Sequence, residues 1–197
     1  MVTIDAEIVL FDGFDELDAI GPYEVLANGA AKGGSIETRL VTLEPTDVVR
    51  ASHGLRVEPD DVLGQPDLLV VPGGGWSNGD GGVRRAFEEG QLAEVIADTF
   101  DGGATVASVC TGAMLLAQAG LLEGRPAITH HSAVEDLAEY ADVVDARVVD
   151  DGDVLTAGGV TSGIDLALWL LEREFDADVA DAVSRLMEHE RRGDVHR

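Results

Sequence analysis

Short apolar runs alternate with longer stretches of helical period along the chain. Glu7–Phe11 reads as a buried strand, and Asp18–Ala31 follows with Ile20, Tyr23, Val25 and Leu26 on an apolar stripe. Gly21-Pro22 predicts that this helix starts inside the segment, because proline suits a first turn. Ser35–Leu43 alternates like a strand, and His53–Val57 reads as a short strand or hairpin arm. Asp67–Val71 is continuously apolar and runs into Pro72-Gly73-Gly74-Gly75, the pattern of a central parallel strand entering a loop. Gln91–Phe100 is helical, Ala104–Val109 is a strand, and Thr111–Ala119 is a helix that follows it at once. Pro126–Thr129 reads as a strand and Ala133–Tyr140 as a helix. Val143–Val149 and Val154–Ala157 read as strands joined by the turn Asp150-Asp151-Gly152-Asp153. Ile164–Phe175 and Ala177–His189 complete the pattern as helices.

Strands alternating with helices predict βαβ units. The fold class is therefore α/β, a doubly wound, mostly parallel sheet with helices on both faces. A chain of 197 residues with no repeat and no Pro/Ser linker is read as one domain, 1–197. In such sheets ligands bind beyond the carboxyl ends of the strands. The segments after Phe11, after Val71 and at Val109–Thr111 are placed there.

Charge narrows the partners. The chain carries 38 acids against 13 bases, a formal net charge of −25. That excludes general affinity for nucleic acid or an anionic membrane, both of which need clustered bases. Twelve of the 13 bases are arginine, Lys32 being the exception, and the acids are dispersed. Such a chain repels itself at low ionic strength, and the reading is a high-salt cytoplasm where that repulsion is screened. The first apolar run, Ile8–Phe11, is too short for a signal segment or membrane span, which also predicts a cytoplasmic protein.

Candidate chemistry centres on Cys110, the only cysteine, so neither an intramolecular disulfide nor a multi-cysteine metal site is expected. In Ala107-Ser108-Val109-Cys110-Thr111-Gly112-Ala113 a strand meets a helix with almost no loop, the logic of a nucleophile elbow. Helix N–H groups there favour thiolate and predict a depressed pKa, whereas a lone cysteine is also often only a small buried hydrophobe. Gly74 and Gly75 can present N–H groups which, with that of Thr111, form an oxyanion hole; equally, the glycines can form only a tight turn. Among Asp15, Glu16, Asp18 and Glu24, spacing alone does not choose a carboxylate partner. His130 or His131 can face the site, although a packed or surface histidine is the commoner case. His53, His189 and His196 lie in unpromising contexts, and no metal is expected. There is no dinucleotide fingerprint or P-loop, and no cofactor is expected.

Taken together, these segments resemble the ThiJ/PfpI superfamily from Ile8 to about Phe175. The resemblance rests on Leu17-Asp18 to Pro22, Pro72-Gly73-Gly74, Ser108-Val109-Cys110-Thr111-Gly112, Ala119–Arg125, Thr129-His130 and Ala157–Asp165. It implies a flavodoxin-like fold, a homodimer and a small-molecule substrate. It also implies that Cys110 is the nucleophile, Asp18 its carboxylate partner, Thr111 a neighbour offering its N–H, and that His130 lies near the cysteine. The Cys-Thr-Gly elbow with Leu-Asp-x-x-Gly-Pro is most similar to the isocyanide hydratase branch and to sensor domains of AraC-type regulators. Protease relatives carry Cys-His at the elbow and amidotransferases a late His and Glu, so both activities are disfavoured. A glyoxalase or deglycase on dicarbonyls, and a ligand or oxidation sensor, are the alternatives. The polar stretch ending at Arg197 leaves no room for a helix-turn-helix.

Overall fold

The structure, a computed structural model, describes residues 3–77 and 81–197. In chain order the elements are β1 (Ile4–Val9), α1 (Glu16–Ala31), β2 (Ile36–Thr42), β3 (Val49–Arg50), β4 (Arg56–Val57), β5 (Asp61–Val62) and β6 (Leu68–Val71). Then come α2 (Gly82–Glu89), α3 (Gln91–Asp101), β7 (Thr105–Val109), α4 (Gly112–Gln118), β8 (Pro126–Ala127), α5 (Val134–Leu137) and β9 (Asp142–Val143). β10 (Val148–Asp150), β11 (Val154–Ala157), α6 (Ser162–Glu174), α7 (Ala177–Leu186) and β12 (Val195–His196) close the order.

Eight strands form the central sheet in the order β12-β10-β11-β7-β6-β1-β2-β5. All neighbours are parallel except β10 with β11, which the Asp150–Asp153 turn joins as an antiparallel hairpin. Along β6, Leu68 and Val70 face one layer and Leu69 and Val71 the other, the period of two that a doubly covered strand requires. The first layer is filled by α1, α6 and α7, the second by α2, α3 and α4. β1 sends the chain to β2 on one side, and the chain later returns to β6 on the other. The carboxyl ends of β1 and β6 therefore flank the switch point where such folds bind ligands.

Several boundaries depart from the periodicity. α1 begins at Glu16, capped by the Asp15 side chain accepting from Leu17 N–H at 3.2 Å, and runs straight through Pro22. The proline is tolerated because it fills a close crossing with α6: a methyl added at Gly163 would lie 3.2 Å from Pro22 Cγ. β1 starts three residues before the expected strand Glu7–Phe11, where Asp5 and Glu7 share Arg39 at 2.6 and 2.8 Å and so can enter the sheet. Helix α2 escapes the pattern because Gly81 and Gly82 form its N-cap and first residue and Arg84, Arg85, Glu88 and Glu89 dilute its apolar face. The expected strand 143–149 is broken into β9 and β10, and the helix 133–140 shrinks to α5 with a 3-10 turn over His131–Ala133. Among the described residues no helix is long and apolar enough to cross a membrane.

Candidate active site

Cys110 sits on the last bond between β7 and α4 with φ +57°. A non-glycine residue in this left-handed region carries strain of order 1 kcal/mol or more, so the neighbours must hold it there. They do. Its N–H is shared by the carbonyls of Ala157 (3.0 Å) and Gly158 (2.8 Å) at the end of β11, and its carbonyl accepts the Thr129 hydroxyl at 2.8 Å. A Cβ on Gly112 would fall 2.4 Å from the Val71 carbonyl oxygen, so the helix can begin this close to β6 only with glycine there. The elbow geometry is therefore present.

Asp18, in the first turn of α1, lies beside the thiol with no solvent exposure. Its Oδ2 accepts from Gly73 N–H at 3.1 Å, while Oδ1 is buried without a hydrogen-bond partner. The Cys110 thiol is directed at this carboxyl group. Gly73 is wedged into the pair. A methyl group at that position would meet Asp18 Oδ2 at 2.6 Å, Thr111 N at 2.7 Å and Cys110 Cβ at 2.8 Å.

Burial sets the protonation of both groups. Desolvation, with help from the nearby charge of Asp15, pushes the Asp18 carboxyl up to about 7, against the pull of the thiol and of Gly73 N–H. The Cys110 thiol is pushed up to about 12 by burial and by the negative charge of Asp18. The N–H groups of Val160 and Thr111 reach the sulfur and favour thiolate, but they are outweighed. The expectation of a depressed thiol pKa is thus corrected: at 6% exposure, desolvation exceeds what two amide dipoles return. Cys110 and Asp18 form one coupled acid pair that rests with the thiol protonated.

The loop glycines also differ from the simple picture. The Thr111 hydroxyl donates to Gly74 O at 2.7 Å and accepts from Gly74 N–H at 3.0 Å. Gly74 N–H is therefore occupied and is not a free oxyanion donor, whereas Gly75 lines the cleft above the sulfur. This cleft, of roughly 490 Å3, is bounded by Asp15, Ser52, Trp76, His130, Ser132 and Val160 around Cys110 and Thr111. His130 lies against Gly159, and its Nδ1 accepts from Ser132 N–H at 3.2 Å, which leaves Nε2 to carry the proton. Burial and His131 lower its pKa, so the ring is a neutral wall of the cleft. His131 is exposed, with its ring centroid 4.0 Å from that of His130.

Of the four acids near the first strand, the structure brings Asp18 to the sulfur and Asp15 to the cleft, while Glu24 is solvent-facing. Glu16 turns instead to His53, accepting its backbone N–H at 2.8 Å and approaching its Nδ1 at 2.7 Å. Burial pushes the Glu16 carboxyl up, but the hydrogen bonds from the His53 ring and from backbone N–H groups including those of His53 and Leu55 together outweigh it and hold the carboxyl at about 2, and Glu16 raises the His53 pKa. Asp15, Glu16 and His53 bring possible ligand atoms within 4.8 Å of one another, the one such grouping among the described residues. The Glu16 oxygens are already taken by Ser52, His53 and Leu55, so an ion would have to displace those bonds.

Two functional features escaped the sequence reading. Val160 turns its N–H to the sulfur at φ +38°, a conformation that no propensity assigns to a β-branched residue. Gly73, not Gly74, is the glycine whose N–H serves the acid. A separate apolar cavity of about 180 Å3 opens at the amino ends of the strands beside Ile4, Ile36 and Leu68, away from this chemistry.

Residues 5–173 match the DJ-1/PfpI family. The chain is 34% identical over 185 residues to isonitrile hydratase of Pseudomonas putida, covering 92% of this chain and 76% of that protein. It is 30% identical over 177 residues to a deglycase of Pyrococcus abyssi, covering 84% and 94%. Its fold is similar to the crystal structure of a ThiJ/PfpI family protein from Pseudomonas syringae, with a TM-score of 0.84 at 25% identity over 98% of this chain and 77% of that one.

Proposed function

The chain belongs to the DJ-1/PfpI family, and from that membership and the Cys110–Asp18 geometry we propose that it is a cofactor-free, cysteine-dependent hydratase that converts an isonitrile to the N-substituted formamide. The observation that carries this reading is a buried, partner-poor carboxyl group against a strained cysteine at the floor of a cleft. The similarity to an isonitrile hydratase supplies the substrate class.

A resting pair that holds its proton on sulfur, with the Asp18 carboxylate beside it, suits the reaction. Sulfur adds to the terminal isonitrile carbon as the thiol proton passes to Asp18, so no free thiolate accumulates beforehand. Asp18, poised near 7, then delivers the proton to the same carbon and leaves a thioimidate, Cys110–S–CH=N–R. Water adds across the C=N bond with Asp18 as base. Cleavage of the C–S bond releases the formamide and returns the proton to sulfur. The N–H groups of Thr111 and Val160 steady the sulfur through both steps.

Incubation with n-butyl isocyanide in molar salt should yield N-butylformamide, and Cys110→Ala should abolish it. No product, or unchanged turnover in Cys110→Ala, ends this reading. The similarity to a deglycase gives the second arm: lactate from methylglyoxal in place of formamide would move the assignment to dicarbonyl chemistry on the same two residues.

A further inference from the structure

The wall of the cleft carries an uneven set of charges. Around Cys110, the described lining includes the hydroxyls of Ser52, Ser77 and Ser132, the Trp76 indole, neutral His130 and one acidic side chain, Asp15; the other acid near the sulfur, Asp18, is buried with no solvent exposure. Asp15 is held firmly. Its N–H donates to Gly73 O at 2.9 Å, tying it to the loop over the sulfur, and its Oδ1 accepts from Leu17 N–H. Its charge is felt by Asp18 beside the sulfur, by His130 on the cleft wall and by His53 in the neighbouring hollow. Of the described arginines, Arg84 stacks on the Trp76 ring at 3.8 Å and donates its Nε–H to Trp76 O at 3.2 Å without itself lining the cleft, and Arg50 and Arg85 line the adjoining hollow beyond Ser52 and Gly75. Asp12 lies with them there, and Arg85 is bonded to Glu89 at 2.8 Å.

We propose that Asp15 is the specificity-determining charge of this cleft: it admits uncharged or cationic electrophiles to Cys110 and turns away carboxylates and phosphate esters. The inference rests on Cys110 being the nucleophile. It goes further by naming the charge class of the substrate. A unit charge within several ångströms of the approach path, in a cleft with low-dielectric walls, is worth roughly tenfold in the encounter with an anion. The overall charge of −25 repels anions too, but molar salt shortens that field to about 3 Å and leaves the contact with Asp15.

Cys110 is the only thiol in the chain, so alkylation reads this one site. In each reaction sulfur displaces iodide: the C–S bond forms, the C–I bond breaks, and the thiol proton goes to solvent. Rates with iodoacetate and iodoacetamide are measured at pH 8.5 in molar salt and divided by the same ratio for N-acetylcysteine. The quotient cancels any change in thiolate fraction. The expected wild-type quotient is about tenfold below one. Asp15→Asn, which keeps the helix cap, should restore most of it, and so should Asp15→Ser; Glu88→Gln on α2 should not. A wild-type quotient near one, or equal recovery in Glu88→Gln and Asp15→Asn, overturns the proposal. The same proteins are then given n-butyl isocyanide and isocyanoacetate. If neither is hydrated while the alkylation quotient still moves with Asp15, charge selection stands and the hydratase reading falls. If n-butyl isocyanide is hydrated and the quotient ignores Asp15, the reverse holds.

Discussion

Asp18 and Asp165 make a natural pair. Each lies in the first turn of a helix, α1 or α6, the two helices pack together, and both side chains are withdrawn from solvent, at 0% and 5% exposure. Their partners differ. Asp165 has both oxygens engaged, Oδ2 with Arg147 Nε at 2.5 Å and Oδ1 with His189 Nε2 at 2.8 Å and Arg192 N–H at 3.3 Å. Asp18 has one backbone N–H and a thiol. Burial without compensation leaves the charged form expensive and keeps a proton available near neutrality, whereas burial with compensation makes a structural anchor. The number of donors, more than depth, separates a reactive acid from an architectural one.

The sharpest way to break this contrast is the same substitution at both positions. Asp18→Asn should lower kcat/KM by about 10²–10⁴-fold, the range for loss of a general acid–base group. Its effect on stability should run the other way. The folded pKa of Asp18 lies above its unfolded value of 3.8, at about 7, so the folded state binds the proton more tightly. That contribution is full below about pH 4 and is lost as pH rises through 7, a swing of about 4 kcal/mol. Urea unfolding in molar salt at pH 5 and pH 8.5 should show wild type losing stability, relative to Asp18→Asn, at the higher pH. A parallel pH response in the two proteins would show that Asp18 is not held in its protonated range.

At Asp165 the sign reverses. Asp165→Asn strands Arg147 and His189 beside a neutral amide and should cost about 2–3 kcal/mol. Formamide production per folded molecule should be little changed, because the cluster touches neither the sulfur nor the cleft. A gain in stability would erase the distinction between the two acids.

Much of this layout was legible from residue order. The alternation of apolar runs and helical periods sets β1, β6, β7 and the helices between them. The abrupt Val109–Thr111 junction marks the elbow, because a strand that meets a helix without a loop leaves one residue at the bend. The ThiJ/PfpI resemblance singled out Asp18 from four nearby acids, which spacing could not do; burial does it in three dimensions. The thiol pKa went the wrong way because local reading counts the helix amides and misses desolvation by α1 and β11, which arrive from distant parts of the chain. Likewise, Val160 is selected by backbone strain and Asp15 by a cleft assembled from six separate chain segments. Neither leaves a periodic trace.

The smallest effect tests why Asp18 is short of donors. The next amide along the loop from Gly73 belongs to Gly74, and the Thr111 hydroxyl occupies it while donating to the carbonyl of the same residue. Thr111→Val keeps the shape and removes both bonds. Stability should fall by about 1 kcal/mol, the net worth of a hydrogen bond in this setting. Activity should fall by tenfold or less, since the sulfur, Asp18 and the Thr111 N–H remain. Thr111→Ser should recover both quantities. If Gly74 N–H is instead the donor that stabilises developing charge on substrate, freeing it in Thr111→Val would raise kcat while stability still drops. A valine variant with normal stability and faster turnover would therefore return Gly74 to the catalytic machinery and weaken the claim that scarcity of donors around Asp18 is maintained by Thr111.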